Sequence, residues 1–286
     1  MVPRVNLVLV KGGGFFVENS ERKIHLDQEE TEKFISQKII VKIGSSTITG
    51  GREALDTAFI SDIARQISYL KKKNLNVAIV SSGAVACGKH RVSNYDGSIL
   101  SRQRAAARGQ RILIQKWADA FETYGMEVDQ ILINDDNFPS AKNLLNSLLA
   151  DPVGIPIINA NDAVSDHEMK QLLISADNDR LAGFVAGAVG ADTVFLLSDV
   201  DGIKDREGNI VPTIYTHNYS GENIIFRGRS ETGTGGMESK HQVAMELAEQ
   251  NMRVVIGNGR EENILIRGAK GESVGTLYFA PSSTLQ

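Results

Sequence analysis

A short, uninterrupted apolar run recurs along this chain, and a helix-length amphipathic stretch separates most runs from the next. The runs are IIVKI (39–43), VAIV (77–80) leading into Ser81-Ser82-Gly83, VDQILIN (128–134), GIPIIN leading into Ala160, TVFLLS leading into Asp199, RVVIGNG, and a closing GTLYFA. A strand apolar at nearly every position is covered on both faces, the pattern of a parallel sheet between helices. The intervening stretches have helical spacing. Asp56 suits an N-cap ahead of Ile60, Ile63, Ala64, Ile67 and Leu70, and Leu113, Trp117, Phe121 and Tyr124 form a second stripe. Further helices are predicted near 141–150, at 179–190 and at 239–250. Alternation of this kind predicts an α/β fold, a three-layer αβα sandwich around a mainly parallel sheet.

Bulk properties remove several function classes. The 286 residues can bury a substantial core, and the formal charge of -4 gives no global basic field to attract nucleic acid or a membrane. A single cysteine, Cys87, excludes an intramolecular disulfide and fits a reducing compartment. The five histidines (25, 90, 167, 217, 241) lack metal-ligand spacing and none pairs with a serine nucleophile, so zinc and hydrolase-triad chemistry find no support. No apolar run reaches membrane-spanning length, which together with the absence of a signal-peptide pattern predicts a soluble cytoplasmic protein. Lys71-Lys72-Lys73 closes a predicted helix and reads as a solvated cationic end.

Polar residues collect after the predicted strands: Ser81-Ser82-Gly83, Asn134-Asp135-Asp136, Asn159 to Asp162, and Ser198-Asp199. In an open parallel sheet these positions share the edge where ligands bind. Lys42-Ile43-Gly44-Ser45-Ser46 brings a cation and glycine backbone together just past a strand, a way to hold phosphate without the G-x-x-x-x-G-K-[ST] loop, which is absent. ETGTGGMESK (231–240) repeats the idea, with a glycine loop followed by Lys240 at a helix start. SADNDRLAG (175–183) places Asp177, Asn178 and Asp179 at a helix N-terminus. Capping uses one of them and leaves the others for lysines, Mg²⁺ or a polar substrate group.

Taken in order, VKIGSS, VSSGAVACG, ANDAVS, ADNDRLAG, LLSDVDGI and GTGGMESK resemble the amino acid kinase family over about residues 38–280. Within it they resemble the branch that phosphorylates the side-chain carboxylate of glutamate on the way to proline. The resemblance implies ATP and Mg²⁺ as cofactors, an acyl phosphate product and a homo-oligomer. It implies that Lys42 and Lys240 stabilise the transferring phosphoryl group and that Asp179 organises both lysines. Ser82, Gly83, Asp162 and Asn178 would hold the amino acid. Gly44, Ser45, Ser198, Asp199, Gly233, Thr234, Gly235, Gly236 and Met237 would bind ATP. It further implies a substrate lobe at about 38–170 and a nucleotide lobe at 171–286. The chain departs from the family in two places. Ala160 stands where a glutamate is usual, and Arg180 where asparagine or serine is usual. These departures leave open a family enzyme with another acidic acceptor, and a nucleotide-binding regulator without catalysis.

Residues 1–37 precede the kinase-like pattern. Their NLVLVKGGGFFVEN mimics the strand-lysine-glycine arrangement of residues 38–46 but reads as a β-hairpin, which leaves Lys42 rather than Lys11 as the catalytic lysine.

Overall fold

The computed structural model describes residues 7–10, 14–17, 33–134, 138–164, 178–218, 224, 226 and 236–280. The chain divides into two compact units, Met1–Phe34 and Ile35–Gln286. In the first, β1 (Leu7–Val10) and β2 (Gly14–Val17) pair antiparallel, with Leu7 opposite Val17. Lys11 lies outside the described residues.

The second unit is built on one eight-stranded sheet. Its strands are β3 (Lys38–Ile43), β4 (Asn76–Ser81), β5 (Glu127–Ile133), β6 (Gly154–Ala160), β7 (Thr193–Ser198), β8 (Thr213–Tyr215), β9 (Arg253–Asn258) and β10 (Thr276–Phe279). Their spatial order is β5-β6-β4-β3-β7-β9-β10-β8. The first six are mutually parallel, whereas β10 runs antiparallel to β9 and parallel to β8. The continuous apolar runs fill the centre: every residue of β6 and β7 is buried, as are Ile39 to Ile43 of β3.

Helices cover both faces. On one lie α2 (Thr57–Lys72), α3 (Ala84–Gly88), α4 (Ile99–Glu122) and α8 (Ile264–Lys270). On the other lie α5 (Phe138–Ala150), α6 (Asn178–Val189) and α7 (Met237–Glu249), whose Leu145, Leu181, Val185, Val243 and Leu247 pack on Ile40, Ile158, Leu196 and Ile256. The expected αβα sandwich is thus realised. Asp56 caps α2 by accepting from the Phe59 N–H at 3.2 Å, and Ile60, Ile63, Ala64, Ile67 and Leu70 are all buried.

Several local features differ from the sequence reading. The Gly44-Ser45-Ser46 turn opens a short helix, α1 (Ser45–Thr49), because Thr47, Ile48 and Thr49 have buried positions to fill. β8 and α8 were not foreseen; both are short, and α8 contains a glycine. Tyr124 falls just past the end of α4, whereas Trp117 and Phe121 are fully buried core residues of this chain. The solvated reading of Lys71 is corrected. Lys71 is 5% exposed, and its Nζ donates to Asp151 O at 2.5 Å and Leu149 O at 3.4 Å, at the carbonyl end of α5. Burial lowers its pKa, against the pull of Asp151 and Asp129.

Candidate active site

The helix after β3 packs on one face and the helix after β7 on the other, so the carboxyl ends of these neighbouring strands border a crevice, the usual ligand position in an open α/β sheet. Lys42, one residue from the end of β3, shares a face with Ile40 and reaches the start of α6. There Asp179 is completely buried. Its Oδ1 lies 2.5 Å from Lys42 Nζ, and its Oδ2 accepts from Lys240 Nζ at 3.0 Å. Lys240 comes from the second turn of α7, with its N–H bonded back to Gly236 O at 3.2 Å. Both lysines are nearly buried, at 4% and 8% exposure. Burial acts to raise the Asp179 carboxyl, but the two ammonium groups overcome it and hold its pKa below the ordinary range. Two cations and one anion thus form a charge cluster at the edge of the sheet.

Gly44 lies directly beside this charge: a Cβ there would be 3.6 Å from Lys42 Nζ. Gly44 precedes α1, whose first turn, beginning at half-buried Ser45, receives no side-chain cap. Ser198 ends β7, buried, and its Oγ donates to the exposed Asp199 at 3.2 Å. Gly236 and Met237 open α7. Gly233, Thr234 and Gly235 lie outside the described residues, as do Asp135, Asp136 and Asp177.

A second, polar cluster adjoins the first. Asn178, next to Asp179, donates its Nδ2 to Ser82 Oγ in a close contact and to Asn159 Oδ1 at 3.4 Å. Asn159 in turn donates to Gln110 Oε1 at 2.9 Å and accepts from the Ala160 N–H at 2.9 Å. Gly83, φ 115, sits in the left-handed region that only glycine enters freely, and this turns the chain from Ser82 into α3. Asp162, half-buried, lies in the turn after β6, its N–H bonded to Ala160 O. The structure therefore brings Lys42, Lys240, Asp179, Asn178 and Ser82 together, with Gly44 against them.

Neither departure residue faces the lysines. Ala160 is a core residue, 3% exposed, among Ile133, Leu145 and Ile158. Arg180 is exposed and lines a groove of about 390 Å³ between α6 and α7 with Lys142, Phe184 and Gln250. Gln110 went unnoticed in the sequence. Its only signal is the small-residue run Ala105-Ala106-Ala107 and Gly109 beside it, a mark of close helix packing.

A mainly parallel sheet with two lysines and a buried carboxylate at the carboxyl ends of its central strands belongs to the α/β class in which ligands bind at that edge. More specifically, the chain belongs to the amino acid kinase family, whose family model matches residues 37–258. It is 33% identical to the glutamate 5-kinase of Proteus mirabilis over 265 residues, covering 88% of this chain and 71% of that one. It is 36% identical to the glutamate 5-kinase of Methanosarcina mazei over 280 residues (88% and 70%) and 36% identical to that of Nitrosomonas eutropha over 258 residues (86% and 68%).

Proposed function

We propose that this chain is an ATP-dependent kinase that phosphorylates the γ-carboxylate of glutamate. The observation that carries the proposal is Asp179, buried between Lys42 and Lys240 with one lysine on each carboxylate oxygen. A carboxylate oxygen of the amino acid attacks the γ-phosphorus in line, the bond from that phosphorus to the bridging oxygen breaks, and ADP leaves. Negative charge shifts toward the leaving and equatorial oxygens, where the two ammonium groups neutralise it. Asp179 holds both cations in place beforehand, so no reorganisation is required as the charge develops. Gly44 and Ser45 would lie under the phosphates. Ser198, Asp199, Gly236 and Met237, with the 233–235 loop, would bind the nucleotide. Ser82, Gly83, Asp162 and Asn178 would bind the amino acid.

Mg²⁺ neutralises phosphate charge in such reactions and needs only one or two carboxylates besides phosphate oxygens and water. Asp179 does not fit that role, because both its oxygens face lysines, and no group of three potential metal ligands occurs among the described residues. The ion would enter held by the triphosphate.

The strand order supports a division near residue 170. β5, β6, β4 and β3 form one half of the sheet and β7, β9, β10 and β8 the other, meeting at the β3–β7 seam. A substrate half and a nucleotide half on either side of that seam would bring acceptor and donor together at Lys42. No helix among the described residues is long and apolar enough to cross a membrane. A cytoplasmic homo-oligomer is the proposed setting. The inward Ala160 and outward Arg180 support glutamate, rather than another acidic compound, as the acceptor.

Purified protein supplied with ATP, Mg²⁺, glutamate and hydroxylamine should accumulate a hydroxamate, formed only when both ATP and glutamate are present. ATP binding without hydroxamate would refute glutamate as acceptor.

A further inference from the structure

Helix α4 crosses α3 at a distance only glycine permits. A Cβ on Gly109 would lie 1.8 Å from Ala84 O, and one on Gly88 would lie 1.9 Å from Ala105 O. This crossing seats α4 against the segment that follows Ser82 and Gly83, and it delivers the next residue, Gln110, to the carboxyl end of β6. Gln110 is no part of the lysine cluster and none of the residues assigned above to ATP or the amino acid.

We propose that Gln110 is a positioning residue that anchors Asn159, and through it the amide relay leading to the amino acid, an inference that rests on the proposed function. Asn159 can present its amide in two orientations related by a 180° turn. Asn159 Nδ2 donates to Gln110 Oε1 at 2.9 Å, and because the Ala160 N–H can only donate, Asn159 Oδ1 must point the other way. There it accepts the Ala160 N–H and Asn178 Nδ2. In the reversed orientation, donor would face donor at both contacts. With its Nδ2 committed to Asn159 and Ser82, Asn178 is left with Oδ1, which carries no hydrogen bond among the described residues. The relay thus ends on an acceptor, matched to a donor such as the α-ammonium of an amino acid.

Two variants test the idea. Gln110→Glu keeps an acceptor toward Asn159, and Gln110→Leu keeps the bulk and removes it. The expected result is a KM for glutamate raised about tenfold or more in Q110L, the worth of one directed hydrogen bond. KM for ATP and the melting temperature should stay near wild type, and Q110E should restore the glutamate KM to within a few-fold. Equal rises in both KM values, or no rise, would overturn the proposal. A crystal structure of Q110L gives a readout independent of the acceptor. A displaced Asn159 side chain and a lost Asn178–Ser82 bond support the relay, and an unchanged network refutes it. If wild-type protein does not phosphorylate glutamate, the proposed function fails while the crystal structure still decides on Gln110.

Discussion

Replacing Asp179 with asparagine tests the charge cluster most directly. The amide is isosteric, so packing is preserved, but it can accept from only one lysine and presents N–H donors to the other. Two nearly buried ammonium groups then lose the carboxylate that they share. The protein can relieve this by carrying one lysine neutral. An exposed lysine titrates near pH 10.4, so a neutral one at pH 7 costs roughly 4–5 kcal/mol, which sets a ceiling on the damage. Removing one partner of a buried ion pair typically costs about 3–5 kcal/mol, in agreement with that limit. Urea unfolding of D179N at pH 7 should therefore show a loss of about 3–5 kcal/mol. The sign of the pH dependence follows. The unfolded state keeps both lysines protonated and the folded variant does not, so stability rises with pH, by at most about 1.4 kcal/mol per pH unit. The deficit should narrow between pH 7 and 9.5, where the triad itself leaves the wild type nearly flat. A loss under about 1 kcal/mol, or one independent of pH, would contradict a buried carboxylate clamped by two charged lysines.

Two further substitutions probe the frame around the site. Gly109→Ala would ordinarily add about 1 kcal/mol of helix propensity, but here the Cβ would strike Ala84 O. A net loss of about 2 kcal/mol or more is expected in thermal unfolding, and a raised melting temperature would contradict the close crossing. Asp56→Asn addresses acid stability. Burial acts to raise the Asp56 carboxyl, but the Phe59 N–H and the Arg260 and Arg52 guanidinium groups hold its pKa below the ordinary 3.8. Its contribution is present above that value and disappears as pH falls through the lower folded value. D56N should be less stable by about 0.5–1.5 kcal/mol near neutrality, with the gap closing toward the acid limb of a denaturation series.

The fold was largely legible because its strands are covered on both faces. Runs such as IIVKI and TVFLLS admit few alternatives, and helical stripes beginning at residues such as Asp56 are local signals. Lys42, Asp179 and Lys240 were legible as chemistry, each lying beside glycines or surplus polar residues at a strand or helix end. Their convergence was legible only through the family resemblance, since nothing local says that two lysines share one carboxylate. Lys71 was misread for the same reason: three consecutive lysines look solvated until the end of α5 arrives beside one of them. Gln110 lies in mid-helix, where glutamine is ordinary. Its role depends wholly on a partner from β6.

The seam between β3 and β7 has a consequence for folding as well as for chemistry. Asp179 takes one lysine from β3 in the amino-terminal half of the chain and the other from α7 in the carboxyl-terminal half, so neither half can assemble the cluster alone. Contacts between residues so distant in sequence close large loops and form late, after most apolar surface has been buried. Interactions absent from the folding transition state act on the unfolding rate. The charge cluster is then also a fastener, one that does little to speed folding and holds the finished molecule shut.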